Sequence, residues 1–169
     1  MILSFDVGIR NLAYCRVEGA QEGGRVVIRD WNVLDLGEAS CMSMTSALDG
    51  VEDLLEGVTT VLIEKQVRQN PKMLRMSAML EMYLHARSLW NTMCVLTFRL
   101  VPAYHRTGQV AEGRRTKKTS YLRYKERKQR SVETADELTK GMPWNAFLLR
   151  HKKKDDLADA LCQAMLYVR

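Results

Sequence analysis

The chain has 169 residues, 46% of them hydrophobic and 27% charged, with a formal net charge of +6. That length suits one domain, 1–169, burying its own core without disulfide or zinc staples, and the balance is that of an ordinary globular protein rather than a low-complexity chain. No apolar stretch approaches a transmembrane span, and the start MILSF is too short for a signal sequence and is interrupted by Asp6, so no membrane association is expected.

Residues 1–7, 12–18 and 25–35 read as three strands, rich in Val, Ile and aromatics and separated by the turn-like GIRN and QEGG. Connections this short favour an antiparallel meander. A short amphipathic helix is predicted over 44–57, closed by Gly57, and VTTVLIE (58–64) follows as an apolar run suited to a central strand. Residues 71–90 read as a helix and 92–101 as a further strand. A polar, basic stretch leads into a helix over about 119–139, and Gly141, Pro143 and the HKKK run break the chain before a closing helix over about 154–168. Three antiparallel strands followed by α/β units imply an α/β fold with a mixed five-stranded sheet and helices on both faces. The helix 71–90 is apolar almost all round, so one side packs on the sheet while the other needs either a second subunit or the helix of the basic segment.

Three acidic segments stand out against this frame. Asp6 and Glu64 each close an apolar strand, and Asp155, Asp156 and Asp159 lie on the last helix. A carboxylate at the end of a buried strand is costly unless a cation meets it, and Asp156 and Asp159, three apart, share a helix face. Asp155 lies one helical step away and takes a secondary role. Taken together, these acids could converge on divalent metal ions, which makes metal-dependent phosphodiester hydrolysis the leading chemistry. Taken singly each has a plainer explanation: Asp6 as a turn residue, Glu64 in a surface ion pair, and Asp155 and Asp156 as acids complementing a helix N-terminus.

The positive charge is local. Between Arg114 and Arg130, nine basic residues (Arg114, Arg115, Lys117, Lys118, Arg123, Lys125, Arg127, Lys128 and Arg130) stand against the single acid Glu126, so this segment carries +8 and the remainder −2. With Tyr121 and Tyr124 interleaved, it suits a phosphate backbone with aromatic stacking. Lys65, Arg68, Lys153 and Lys154 flank the acids and are candidate phosphate contacts. Cys15, Cys41, Cys94 and Cys162 show neither a CxxC nor zinc spacing, which points to reduced thiols inside a cell. His85, His105 and His151 read as surface or packing residues.

SFDVGIRNLAYC, LIEKQVRQNP, YKERKQRSVE and KKDDLADAL, in this order, resemble the Holliday-junction resolvases of poxviruses and related large DNA viruses, with the fungal mitochondrial resolvases close behind. These form part of the RuvC-like branch of the ribonuclease H fold. The resemblance spans nearly the whole chain, with a basic DNA-binding insertion at about 105–140. It implies that Asp6, Glu64, Asp156 and Asp159 hold two Mg²⁺ ions, with Mn²⁺ substituting. Ions about 4 Å apart activate a water and stabilise the leaving 3′-oxygen, and a 5′-phosphate is the implied product. It further implies a homodimer acting on four-way and other branched DNA in recombination or viral concatemer resolution, with the helix 71–90 as the expected subunit contact. Two other readings stay open: a related nuclease acting on RNA–DNA hybrids or flaps, and a junction-binding protein without catalysis. A strand beginning at Ile2 leaves no room for a presequence, which points to the compartment of viral DNA replication rather than a mitochondrion.

Overall fold

The computed structural model describes residues 1–19, 26–51, 53–91, 96–102 and 120–168. Five strands form one sheet: β1 (Ile2–Val7), β2 (Asn11–Glu18), β3 (Val27–Asp35), β4 (Thr60–Glu64) and β5 (Thr97–Val101). Their spatial order is β3-β2-β1-β4-β5, antiparallel among the first three, with β4 parallel to β1 and β5 parallel to β4. The expected mixed α/β sheet is therefore present, with β1 at its centre. The helices among the described residues are α1 (Cys41–Asp49), α2 (Pro71–Asn91), α3 (Ser120–Thr139), α4 (Pro143–Arg150) and α5 (Lys154–Met165).

Alternation along the strands sorts side chains between two cores, because successive residues point to opposite faces. Leu3, Phe5 and Val7 of β1, Leu12 and Tyr14 of β2, and Val61 and Ile63 of β4 meet Met44 and Leu48 of α1 and Met76, Leu80 and Leu84 of α2. On the other face, Ala13, Cys15, Val17, Ile28 and Trp31 meet Ala135 of α3, Leu148 of α4 and Leu157, Ala158, Leu161 and Cys162 of α5. By the same parity, Asp6 of β1 and Glu64 of β4 belong to the α5 face. Each directly follows the registered pair Phe5↔Ile63, so the two acids end neighbouring strands side by side.

Local sequence fixes the element ends that matter. Gly8 is needed in the turn after β1, where an added Cβ would lie 2.4 Å from the Asn11 carbonyl oxygen. At α1, Ser40 and Ser43 form a reciprocal capping box. At α2, the Asn70 side chain accepts the Met73 N–H at 3.3 Å, ahead of Pro71 in the first turn. Two indole N–H groups then tie the second layer to the sheet. Trp31 Nε1 donates to the Leu157 carbonyl at 2.9 Å, and Trp144 Nε1 to the Ile28 carbonyl at 3.1 Å.

Some boundaries differ from expectation. The helix expected over 44–57 starts at Cys41 and ends at Asp49, with Gly50 as a C-cap still in right-handed helical geometry, and the chain then turns away through a positive φ of 54° at Asp53. Leu54 and Leu55 are still buried, which gave that stretch its amphipathic look. The strand expected over 92–101 is seen from Thr97, with 92–95 outside the described residues. Helix α4 was not anticipated: Pro143 reads as a breaker, yet it occupies the first turn, where its missing N–H costs nothing. Finally, α2 and the basic helix α3 lie on opposite faces of the sheet, so α3 does not cover the second side of α2.

Candidate active site

The edge of the sheet where β1 and β4 end, together with the start of α5, gathers the acids. Helix α5 presents almost its whole circumference inward: Leu157, Ala158, Ala160, Leu161, Cys162 and Ala164 are all buried. Small residues at 158, 160 and 164 let the helix lie close on β1 and β2, and Gln163 Nε2 reaches the Phe5 carbonyl at 3.4 Å. This close seating puts Asp159, one turn before Gln163, within electrostatic reach of Asp6.

The electrostatics record that convergence. Burial is the largest cause raising the Asp6 carboxyl well above its ordinary value. The Asp159 and Glu64 carboxylates and a hydrogen bond with Glu64 raise it further, while the Lys128 ammonium acts in the opposite sense. Asp6 keeps some exposed surface, but its carboxyl is enclosed closely enough for desolvation to dominate. Asp156 is also raised by burial, with Lys128 opposing.

Lys128 of α3 was grouped with the phosphate-binding cations, and the structure turns it inward. Its Nζ lies 2.6 Å from Asp159 Oδ2, 3.4 Å from Asp156 Oδ1 and 3.7 Å from Asp155 Oδ2. Burial pulls this ammonium towards neutrality, but Asp159, Asp6 and Asp156 outweigh it and raise its pKa above the ordinary lysine value. The signal was legible in the helix period. Lys128 precedes Val132, Ala135 and Thr139 at spacings of four, seven and eleven, the inward stripe of α3 on which Ala135 and Thr139 are fully buried.

The other expected residues fall into three groups. Lys65 and Arg68 after Glu64, and Lys153 and Lys154 before Asp155, are exposed beside the acids in sequence. Lys125 and Arg130 are exposed on α3, whereas Arg127 is partly buried and lies over the Tyr124 ring at 5.8 Å. Arg114, Arg115, Lys117 and Lys118, with Cys94 and His105, lie outside the described residues, as does the side chain of Arg123. Asp155 is the most exposed of the three α5 acids and the farthest from Lys128.

The donors at this edge are all oxygens, the chemistry of a hard divalent ion such as Mg²⁺ or Mn²⁺. One of them, Asp159 Oδ1, is buried with no hydrogen-bond partner among the described residues. The residues therefore fit such an ion. As the side chains stand, no three of the described acids, histidines or cysteines already enclose one point; the Lys128 ammonium lies among them.

A pH dependence follows from Asp6. Its raised pKa means that the folded, ion-free protein binds a proton the unfolded chain has released, so stability falls as pH rises through that raised value. Asp6→Asn removes the ionisation. In EDTA the variant is expected to gain on the order of 1 kcal/mol, or a few degrees in melting midpoint, at pH 8. The gain should shrink towards pH 4, as followed by circular dichroism. A difference that does not change with pH would contradict the assignment.

Comparison with known proteins adds an independent line. Residues 2–82 match the family model of mitochondrial resolvase Ydc2 / RNA splicing MRS1, and residues 103–169 match that of the poxvirus A22 protein. The first stretch contains Asp6 and Glu64; the second contains Lys128 and the α5 acids. No curated protein matches the sequence significantly. Among solved structures, fowlpox virus resolvase in complex with substrate Holliday junction DNA superposes with a TM-score of 0.65 at 16% identity, covering 99% of this chain and 95% of that one. The yeast mitochondrial Holliday junction resolvase Ydc2 gives 0.59 at 21% identity, covering 96% and 76%. Thermus thermophilus RuvC gives 0.53 at 18% identity, covering 96% and 92%. The chain thus has the RuvC-like fold and resembles the poxvirus and mitochondrial resolvases along both stretches that carry its acids.

Proposed function

We propose that this protein is a homodimeric, divalent-metal-dependent endonuclease that resolves four-way DNA junctions by paired, symmetric nicks. The observation that carries the reading is the meeting of Asp6, Glu64 and Asp159 at one sheet edge, in a chain whose two stretches match the mitochondrial resolvase Ydc2 / RNA splicing MRS1 and poxvirus A22 protein families. Asp6, Glu64, Asp156 and Asp159 are the residues that would hold two Mg²⁺ ions, with Asp155 in support. Bound there, the ions supply an activated water and charge neutralisation at the leaving 3′-oxygen, giving a 5′-phosphate product.

The chain's own contribution is position and charge. Asp6 sits on the central strand, paired on both sides, so its backbone is held by β2 and β4 together. Lys65, Arg68, Lys153 and Lys154 extend from the segments bearing Glu64 and Asp155 and supply positive charge for the phosphates that flank the scissile bond. Lys125 and Arg130, on the exposed side of α3, extend the positive charge, and Tyr124 on the same helix is half-exposed and available for stacking.

Two nicks require two active sites, and α2 offers a surface for pairing. Leu74, Ala78, Met82, Ala86 and Leu89 follow one another at spacings of three or four along its solvent side, with Trp90 at the end. Met82 is 69%, Leu89 61% and Trp90 88% exposed, which is unusual for large apolar residues on one helix face.

Three outcomes test the proposal. End-labelled four-way junction incubated with Mg²⁺ should yield nicks at symmetry-related positions, absent with linear duplex and lost with Asp6→Asn. Equal cutting of duplex, or preferential cutting of an RNA–DNA hybrid or flap, would replace the substrate, and binding without cutting would leave a non-catalytic protein. Sedimentation should show a dimer that Met82→Glu shifts to monomer, whereas a parent protein that is monomeric at assay concentration would contradict the pairing surface. Replacing Lys125 and Arg130 by Gln together should lower the slope of log K against log salt by about 2, one for each lost phosphate contact. An unchanged slope would remove α3 from the DNA surface.

A further inference from the structure

The inward position of Lys128 leads beyond the assignment of the site. We propose that the Lys128 ammonium stands in for a divalent cation among the α5 carboxylates, so that ion loading is an exchange in which Lys128 must leave. This rests on the reading of the site as a metal centre, and it assigns the chain a built-in competitor for its own ion.

Four observations converge on it. The Nζ atom is within 3.7 Å of all three α5 carboxylates, 2.6 Å from the nearest, a placement that answers to their shared negative charge. Its side chain is only 21% exposed and rises from the inward stripe of α3, so it is not a free surface cation waiting for a phosphate. Asp159 is half-satisfied: Oδ2 receives the ammonium, while buried Oδ1 has no partner among the described residues. Lastly, no three of the described acids, histidines or cysteines are placed to hold an ion as they stand, and the Lys128 ammonium lies among the α5 carboxylates.

The residue type suits the role. Lysine ends in a compact point charge on a flexible four-carbon stem, whereas arginine presents a broad planar fork. Clustered carboxylates repel one another and need a cation to stay ionised, and a single ammonium meets that need while leaving the pocket exchangeable. The apparent ion affinity is then reduced by the fraction of time Lys128 holds the site. Once displaced, the ammonium is free to meet a phosphate that arrives with the DNA.

The test needs no DNA. Mn²⁺ binding would be followed by the electron paramagnetic resonance signal of the free ion, in the parent, Lys128→Met and Lys128→Arg proteins. Lys128→Met is expected to tighten Mn²⁺ at least about tenfold, with Lys128→Arg within about twofold of the parent. The melting midpoint of Lys128→Met should fall in EDTA and recover when Mn²⁺ is added. Lys128→Gln provides the same readouts if methionine disturbs the packing of α3. Equal or weaker Mn²⁺ binding by the neutral variants would overturn the exchange and leave Lys128 as a fixed structural or phosphate contact, with the metal site intact. No Mn²⁺ binding by any of the proteins would overturn the metal reading itself, and the exchange with it.

Discussion

Burying like charges at the seam between the central strand and a helix is the constraint on which the rest of this structure depends. Asp6 is held by the middle strand of the sheet, and α5 brings its acids against that strand from above. Such a cluster persists only if cations meet it and if packing elsewhere fixes the geometry. The packing comes from α5 itself, where alanines and Cys162 allow close approach, and from Trp31, whose indole holds the Leu157 carbonyl just after Asp156. The cation comes from α3. The second core, made of strand residues of one parity and three helices, is in effect the scaffold that keeps four acids and one ammonium in register.

This arrangement also explains how the two faces divide their work. The α1 and α2 face is a conventional apolar core over Leu3, Phe5, Val61 and Ile63. It leaves the outer side of α2 apolar and uncovered among the described residues. The opposite face carries the clustered acids and Lys128, and its helices are consecutive in the chain. Lys128 and Asp159 are therefore brought together within a compact helical unit, while Asp6 and Glu64 reach it through the sheet. The two family matches separate along the chain in the same way, residues 2–82 carrying Asp6 and Glu64 and residues 103–169 carrying Lys128 and the α5 acids.

Much of this was legible in the sequence, for physical reasons that can be named. Strands announce themselves through β-branched runs bounded by turn residues, and parity then places Asp6 and Glu64 on one face. The acids at 155, 156 and 159 were visible because a helix repeats every three to four residues. The inward turn of Lys128 was missed because charge density was read along the chain rather than around the helix, where it shares a stripe with Ala135 and Thr139. Helix α4 was hidden by reading Pro143 as a stop when it opens a helix. The overlong α1 had a different cause: Leu54 and Leu55 lie in the turn that follows the helix yet pack into the same core, and burial periodicity cannot distinguish a helix from a turn that points inward. Much of the basic segment lies outside the described residues, so its contribution rests on charge and on the helix that follows it.

The most direct measurement of the central claim is anomalous diffraction from crystals of the protein grown with Mn²⁺. The account predicts anomalous peaks at the edge formed by Asp6, Glu64, Asp156 and Asp159, with the Lys128 side chain withdrawn from the carboxylates. Peaks bound elsewhere, or an acidic edge that remains closed around Lys128 at saturating Mn²⁺, would contradict it.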